Sequence, residues 1–308
     1  IGPHSPYDPP ARVLNATTAE MLPEVQLAKD GWDSVFHGGS GYPSGCGPSN
    51  PSAWCGLMPK PAQQLGRRSY MANVAFIDEW VGKIMETMKS RNFLERTFII
   101  WTADHGDGQA DHYHWRKGFP YQFSANVPML FRWPESYPSK TPRGTVITDL
   151  VTELRDVFPT MLDAAGAMDT VPPGHKIDGI SLLCLLEDQT GQACKWTSTG
   201  NASGGTGWRP WLDLEHNVCY NNSNHWSALT DGKMKYIFNA CPTCTFPPRE
   251  QLFNLSADPG ELVGLHAKPA YAAELAKWRA RMVAQFESEG RGSDWVKDGV
   301  LQTRPSIT

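Results

Sequence analysis

Six consecutive residues, Thr97-Phe98-Ile99-Ile100-Trp101-Thr102, carry only β-branched and aromatic side chains. A run with no polar face fits a strand covered on both sides, as in a parallel sheet between helix layers. Polar residues follow almost at once, in Asp104-His105-Gly106-Asp107-Gly108. Upstream, Tyr70, Val74, Ile77, Val81, Ile84 and Met88 recur at steps of four and three, which predicts an amphipathic helix ending near Asn92-Phe93. Downstream, Val127-Pro128-Met129-Leu130-Phe131 reads as a neighbouring strand. Helix, buried strand, polar loop and strand together predict an α/β domain. In such sheets ligands sit beyond the carboxyl ends of the strands, where Asp104 and His105 fall.

The rest of the chain divides by pattern. Residues 1–65 are rich in Pro, Gly, Ser and Asn and read as a surface segment, with a Cys46–Cys55 bridge stapling a loop. A helix is predicted over Asp156–Ala165, with Pro159 in its first turn and Gly166 as its C-terminal cap. From about Gly200, short runs at 211–214, 226–229, 234–238 and 251–255 predict a small antiparallel sheet. A last helix over about 270–286 places Leu275, Trp278, Met282 and Phe286 on one face. The expected domains are therefore 1–199 and 200–308.

A net charge of −4 gives no electrostatic reason for nucleic acid or an anionic membrane as partner, so an anionic substrate needs a local cationic site. No apolar run approaches the roughly 18–20 residues of a membrane span. Ile1-Gly2-Pro3-His4 does not read as a signal peptide, so the chain is expected to be a processed product or a fragment. Four glycosylation triplets begin at Asn15, Asn201, Asn221 and Asn254. With seven cysteines they point to a secreted or lysosomal protein in an oxidising compartment. The odd count leaves one thiol unpaired or bonded to another segment. Cys241-Pro-Thr-Cys244 lacks a second Cys-x-x-Cys pair and reads as a structural disulfide.

The chemistry concentrates in two stretches. Asp104 and His105 at a strand end can both reach one metal ion, with Gly106 allowing a sharp turn; the alternative is a turn-capping aspartate beside a packed histidine. Asp111-His112-Tyr113-His114-Trp115-Arg116-Lys117 gathers metal-competent and cationic groups. Lys117 and Arg116 can clamp a sulfate or phosphate oxygen, and a histidine can protonate a leaving group. The alternative is a solvated loop, the expectation for Arg116 more than for Lys117. His4, alone near the start, and Glu215-His216, at a strand end, have no reading of their own.

In combination these segments resemble the sulfatase family of the alkaline-phosphatase-like superfamily. Tyr70–Gly82 is similar to its helix with Asp78 and a Val-Gly pair, and Thr97–Gly106 to its strand ending in Asp-His-Gly. Trp115-Arg-Lys117-Gly and Asn126-Val-Pro128 resemble its lysine loop and Arg-Val-Pro strand, with Asn126 replacing the usual arginine. Phe158–Gly166, Asp178-Gly-Ile-Ser181 and Gln251-Leu-Phe253…Asp258-Pro-Gly-Glu261 match later landmarks. The resemblance implies part of an α/β/α sandwich followed by a small C-terminal antiparallel subdomain with a terminal helix. It implies Asp104 and His105 as ligands of one divalent cation, usually calcium, and Lys117 on the sulfate and its bridging oxygen. His4 would contact the sulfate or serve the leaving group, and His112 would join the substrate side.

Two expected parts are absent from these 308 residues: an Asp-Asp strand end, and the cysteine that becomes formylglycine, which in the family attacks sulfur once hydrated. Cys46-Gly-Pro-Ser49 mimics that signature, but Asn50 stands where its arginine belongs and the segment lies too close to the helix. The chain is expected to be inactive alone and to need an upstream segment of the same protein. Its substrate would be a sulfated small molecule or glycan. The competing expectations are a phosphodiesterase or phosphonate hydrolase of the same superfamily, and an inactive sulfatase-like glycoprotein.

Overall fold

In the computed structural model, which describes residues 2–28, 60–192, 194, 207–216, 225–242 and 248–304, the chain forms two compact units. The first comprises Ile1–Ile99, His105–Lys117 and Phe131–Tyr137; the second comprises Ile100–Asp104, Gly118–Leu130 and Pro138–Thr308.

In the first unit, a short helix α1 (Ala11–Ala16) packs on the long helix α2 (Lys60–Ser90). Arg68 of α2 donates Nε to Thr17 O at 3.0 Å and Nη2 to Leu14 O at 3.2 Å. A cation thus sits on carbonyls at the negative end of α1. The C-terminus of α2 falls where the sequence predicts. Asn92 takes φ +56° and donates to Lys89 O, and Phe93 N reaches back to Met88 O at 2.8 Å, the paired bonds of a Schellman cap. The predicted stripe forms, but it is only partly covered. Ile84 is 57% exposed and Trp80 50%. With Phe76, Ile77 and Val81 they line a groove of about 560 Å³ beside Pro6 and Pro10.

Strands β1 (Ile99–Thr102) and β2 (Met129–Arg132) pair in a two-stranded sheet. The expectation of burial on both faces fails: Trp101 of β1 is 41% exposed and Leu130 of β2 57%. The physical reason is the sheet's width, because among the described residues each of these strands has one neighbour. Phe98, just before β1, does find cover, stacking on Phe131 at 5.6 Å and meeting Tyr137 edge-on at 5.0 Å.

The second unit carries helix α3 (Val157–Ala164), entered through a capping box between Glu153 and Asp156, with Gly166 at φ +63° beyond its end. The buried Asp156 carboxylate takes the Arg209 fork and the backbone N–H groups of Glu153 (3.0 Å) and Ile180 (2.8 Å). Gly179 passes so close that a Cβ there would lie 1.9 Å from Arg155 O, which accounts for glycine in Asp178-Gly-Ile-Ser181. Cys184 and Cys194 form a disulfide. Cys241 is disulfide-bonded, while Cys244 and the expected Cys46–Cys55 staple lie outside the described residues.

The predicted small sheet is present. Strands β3 (Leu212–His216), β4 (Trp226–Thr230), β5 (Met234–Asn239) and β6 (Glu250–Asn254) pair antiparallel in that order. The β4–β5 turn uses Gly232 at φ +82°, with Asp231 Oδ1 accepting Lys233 N and Met234 N. Helix α4 (Ala272–Ser288) lays Trp278, Met282 and Phe286 against Leu229, Tyr236, Phe238 and Leu252, closing an apolar core. One ion pair is sealed beside it. Lys235 and Glu261 are both 0% exposed, 2.7 Å apart, and Lys235 Nζ also donates to Pro120 O and Gln122 Oε1.

Candidate functional site

The stretch from His105 to Lys117 is a coiled loop folded on itself. Gly108 N donates to Arg116 O at 2.7 Å and Ala110 N to His114 O at 2.8 Å. Gly108 is required, because a Cβ there would sit 2.5 Å from His114 O. Gln109, Ala110, His112, Tyr113 and Arg116 all adopt positive φ, a costly conformation that persists where surroundings enforce it. The surroundings are evident. His112 N and Asp111 Oδ1 pair with Gln26 O and N, both at 2.7 Å, while Trp115 packs against the bare face of Gly66 on α2. His112, Tyr113, His114 and Trp115 are buried and Arg116 and Lys117 half-buried, so this loop is not solvated throughout. Burial holds the His114 imidazole well below its usual range, with the charge of His112 acting in the same sense.

Lys117 is brought to His4, 113 residues away in sequence: Nζ lies 3.0 Å from His4 Nε2. His4 Nδ1 lies 2.6 Å from Ser5 O, and since a carbonyl only accepts, Nδ1 carries the proton there. Nε2 then accepts from the Lys117 ammonium. The pair presents an ammonium charge for an oxyanion beside an imidazole that can carry a proton to a leaving oxygen.

Beside this contact, Asp107 bonds both segments that bear it. Asp107 Oδ2 accepts from Tyr7 OH at 2.9 Å; its Oδ1 accepts from Gln109 Nε2 at 2.8 Å, Arg116 N at 3.0 Å and Gln109 N at 3.2 Å. Burial first, and then the Asp107 carboxylate, drive the Tyr7 phenol upward. Asp107 carries a weak sequence signal, as the acid after Asp-His-Gly, and Tyr7 carries none.

Asp104 and His105 supply consecutive donors just past β1. His105 Nδ1 is 2.8 Å from Gly106 O, which leaves Nε2 as the ring's electron-pair donor, the arrangement of a metal-binding imidazole. Among the described residues no group of three or more His, Cys, Asp or Glu is gathered for a metal. One carboxylate and one imidazole fit half a cation site and fall short of the six or so oxygen ligands calcium takes. Glu215 and His216 close β3, Glu215 paired with Arg291 and His216 stacked on Trp226 at 6.0 Å.

Comparison with known proteins finds sulfatases among the relatives. The arylsulfatase of Clostridium perfringens is 29% identical over 294 residues, covering 95% of this chain and 53% of that protein. Mouse arylsulfatase K is 32% identical over 201 residues, 65% of this chain and 32% of that protein. The chain thus spans about half, or less, of the length of the curated relatives it matches. The phosphonate monoester hydrolase of Silicibacter pomeroyi superposes over 100% of this chain and 59% of its own, with a TM-score of 0.70 at 20% identity, a likeness of fold. The fold is thus part of the alkaline-phosphatase-like sandwich with its small antiparallel sheet and terminal helix. The family model for sulfatases matches residues 1–167, more than half of the chain, and the chain belongs to the sulfatase family.

Proposed function

We propose that this chain supplies part of the cation and sulfate clamp of a sulfate-ester hydrolase, its nucleophile coming from an upstream segment of the same protein. The observation that carries this reading is the Lys117–His4 contact, two groups 113 residues apart joined by a 3.0 Å hydrogen bond. In this reading Lys117 keeps its ammonium charge against a sulfate oxygen, and His4, taking up a proton from solvent at Nε2 once the sulfate separates it from Lys117, passes that proton to the departing ester oxygen. His112, expected on the substrate side, is 1% exposed, so its part in this reading is to pack the loop that carries Lys117 rather than to touch the substrate. Sulfatases generally use a divalent metal and formylglycine. The metal is read here as calcium on Asp104 and His105; when bound it would draw off charge from sulfate oxygens. The remaining ligands and the formylglycine are assigned to the upstream segment, and the half-covered stripe of α2 supports an association there.

The substrate class is a sulfated small molecule or glycan. The Cys184–Cys194 disulfide supports a secretory or lysosomal route, and among the described residues no helix is long and apolar enough to cross a membrane. Residues 1–199 are read as part of the large domain and 200–308 as the small one, a division that limited proteolysis tests. The activity test is direct. The chain alone should leave 4-nitrophenyl sulfate intact, whereas the chain joined to a formylglycine-bearing upstream segment should hydrolyse it and lose that activity with Lys117→Ala. Absence of hydrolysis by the joined protein would refute the assignment, and cleavage of a phosphonate monoester instead would favour the phosphonate hydrolase.

A further inference from the structure

We infer that Asp107 is a positioning residue: its carboxylate docks the segment that bears His4 onto the loop that bears Lys117. The bonds divide in two. On one side, Oδ2 accepts from Tyr7 OH, three residues after His4. On the other, Oδ1 accepts from Arg116 N, next to Lys117, and from the backbone and side chain of Gln109. Gln109 Nε2 also reaches Tyr7 OH at 3.3 Å, and Tyr70 of α2 holds the Tyr7 ring edge-on at 5.7 Å. Both carboxylate oxygens are thus engaged by protein donors, bridging two segments a hundred residues apart. His4 itself is exposed and bonds only its neighbour Ser5 and Lys117 among the described contacts. Its ring has little else to fix it, so the Tyr7–Asp107 anchor decides where it stands. Displacing a reacting group by about 1 Å can cost on the order of 100-fold in rate.

This inference rests on the sulfatase reading for its catalytic consequence, but its geometric core is testable without activity. In the 308-residue chain with labelled histidine and lysine, a nuclear Overhauser contact between the His4 ring and the Lys117 side chain is expected. It should vanish in Asp107→Ala, weaken in Tyr7→Phe, which deletes a single hydroxyl, and persist in Asp107→Asn, whose Oδ1 still accepts while its amide donates to Tyr7. In the joined, active protein, Asp107→Ala should lower kcat on the order of 100-fold for phenyl sulfate but only about tenfold for 4-nitrophenyl sulfate, whose leaving group needs less proton assistance. A loss equal for both esters would be a structural effect and would overturn the inference, as would an Overhauser contact unchanged in Tyr7→Phe and Asp107→Ala. An inactive joined protein whose Overhauser pattern follows expectation would overturn the sulfatase reading alone.

Discussion

Replacing Lys235 by methionine should destabilise the protein by about 3–5 kcal/mol, the cost of stranding a buried charge. The size follows from what the side chain does. Lys235 Nζ contacts Glu261 Oε1 at 2.7 Å, Gln122 Oε1 at 2.8 Å and Pro120 O at 2.9 Å, with no water access for either charge. Methionine keeps the apolar stem, so packing loss is small. What remains is a sealed Glu261 carboxylate whose described partner is Gln122 N. Adding Glu261→Gln to the methionine variant removes that charge while keeping an acceptor for Gln122 N. The double variant should therefore recover about 2 kcal/mol relative to the sum of the singles. Urea unfolding followed by tryptophan emission measures this, since Trp278 is buried in the adjacent core. A cost below about 1 kcal/mol for Lys235→Met, or singles that add within about 0.5 kcal/mol, would refute the reasoning.

Two further outcomes follow from the second unit. Gly179→Ala should cost about 3 kcal/mol, the upper end of the usual overpacking range, because its Cβ meets the Arg155 carbonyl rather than a movable side chain; a thermal melt within a degree or two of wild type would contradict this. Burial, helped by the charge of Arg304, pushes the buried His225 imidazole down to about 4 from 6.5. Between those values the unfolded chain binds a proton that the folded chain refuses, so stability present above pH 6.5 is lost as pH falls toward 4, by about 3 kcal/mol. His225→Gln should flatten that part of the stability–pH curve, and an unchanged slope would sink the claim.

How legible this molecule is in its sequence depends on whether the signal is local. The strands at 212–216, 226–230, 234–239 and 250–254 and the helix at 272–288 follow runs and turns that carry their own pattern, and their shared core covers the apolar faces. The helix caps at Asn92 and Gly166 are equally local. Burial was less legible. The Ile99–Thr102 run has the composition of a central strand, yet it has one described neighbour, because composition reports the environment a strand is suited to and not which segments are at hand. The loop 105–117 shows a third case. Its histidines read as metal-competent groups open to a ligand, whereas five left-handed residues turn His112, His114 and Trp115 inward, a conformation no residue type announces when the residues are not glycine. The Asp107–Tyr7 partnership was illegible for a related reason, since it spans a hundred residues and follows no spacing rule.

Whether His4, Asp104, His105 and Lys117 hold one calcium and one sulfate is settled by a crystal structure of the protein joined to its upstream segment, grown with both ions. One calcium should lie on the Asp104 carboxylate and His105 Nε2, with a sulfate oxygen within hydrogen-bond reach of Lys117 Nζ and His4 Nε2. Calcium bound without Asp104 and His105, or sulfate seated away from Lys117 and His4, would contradict this assignment.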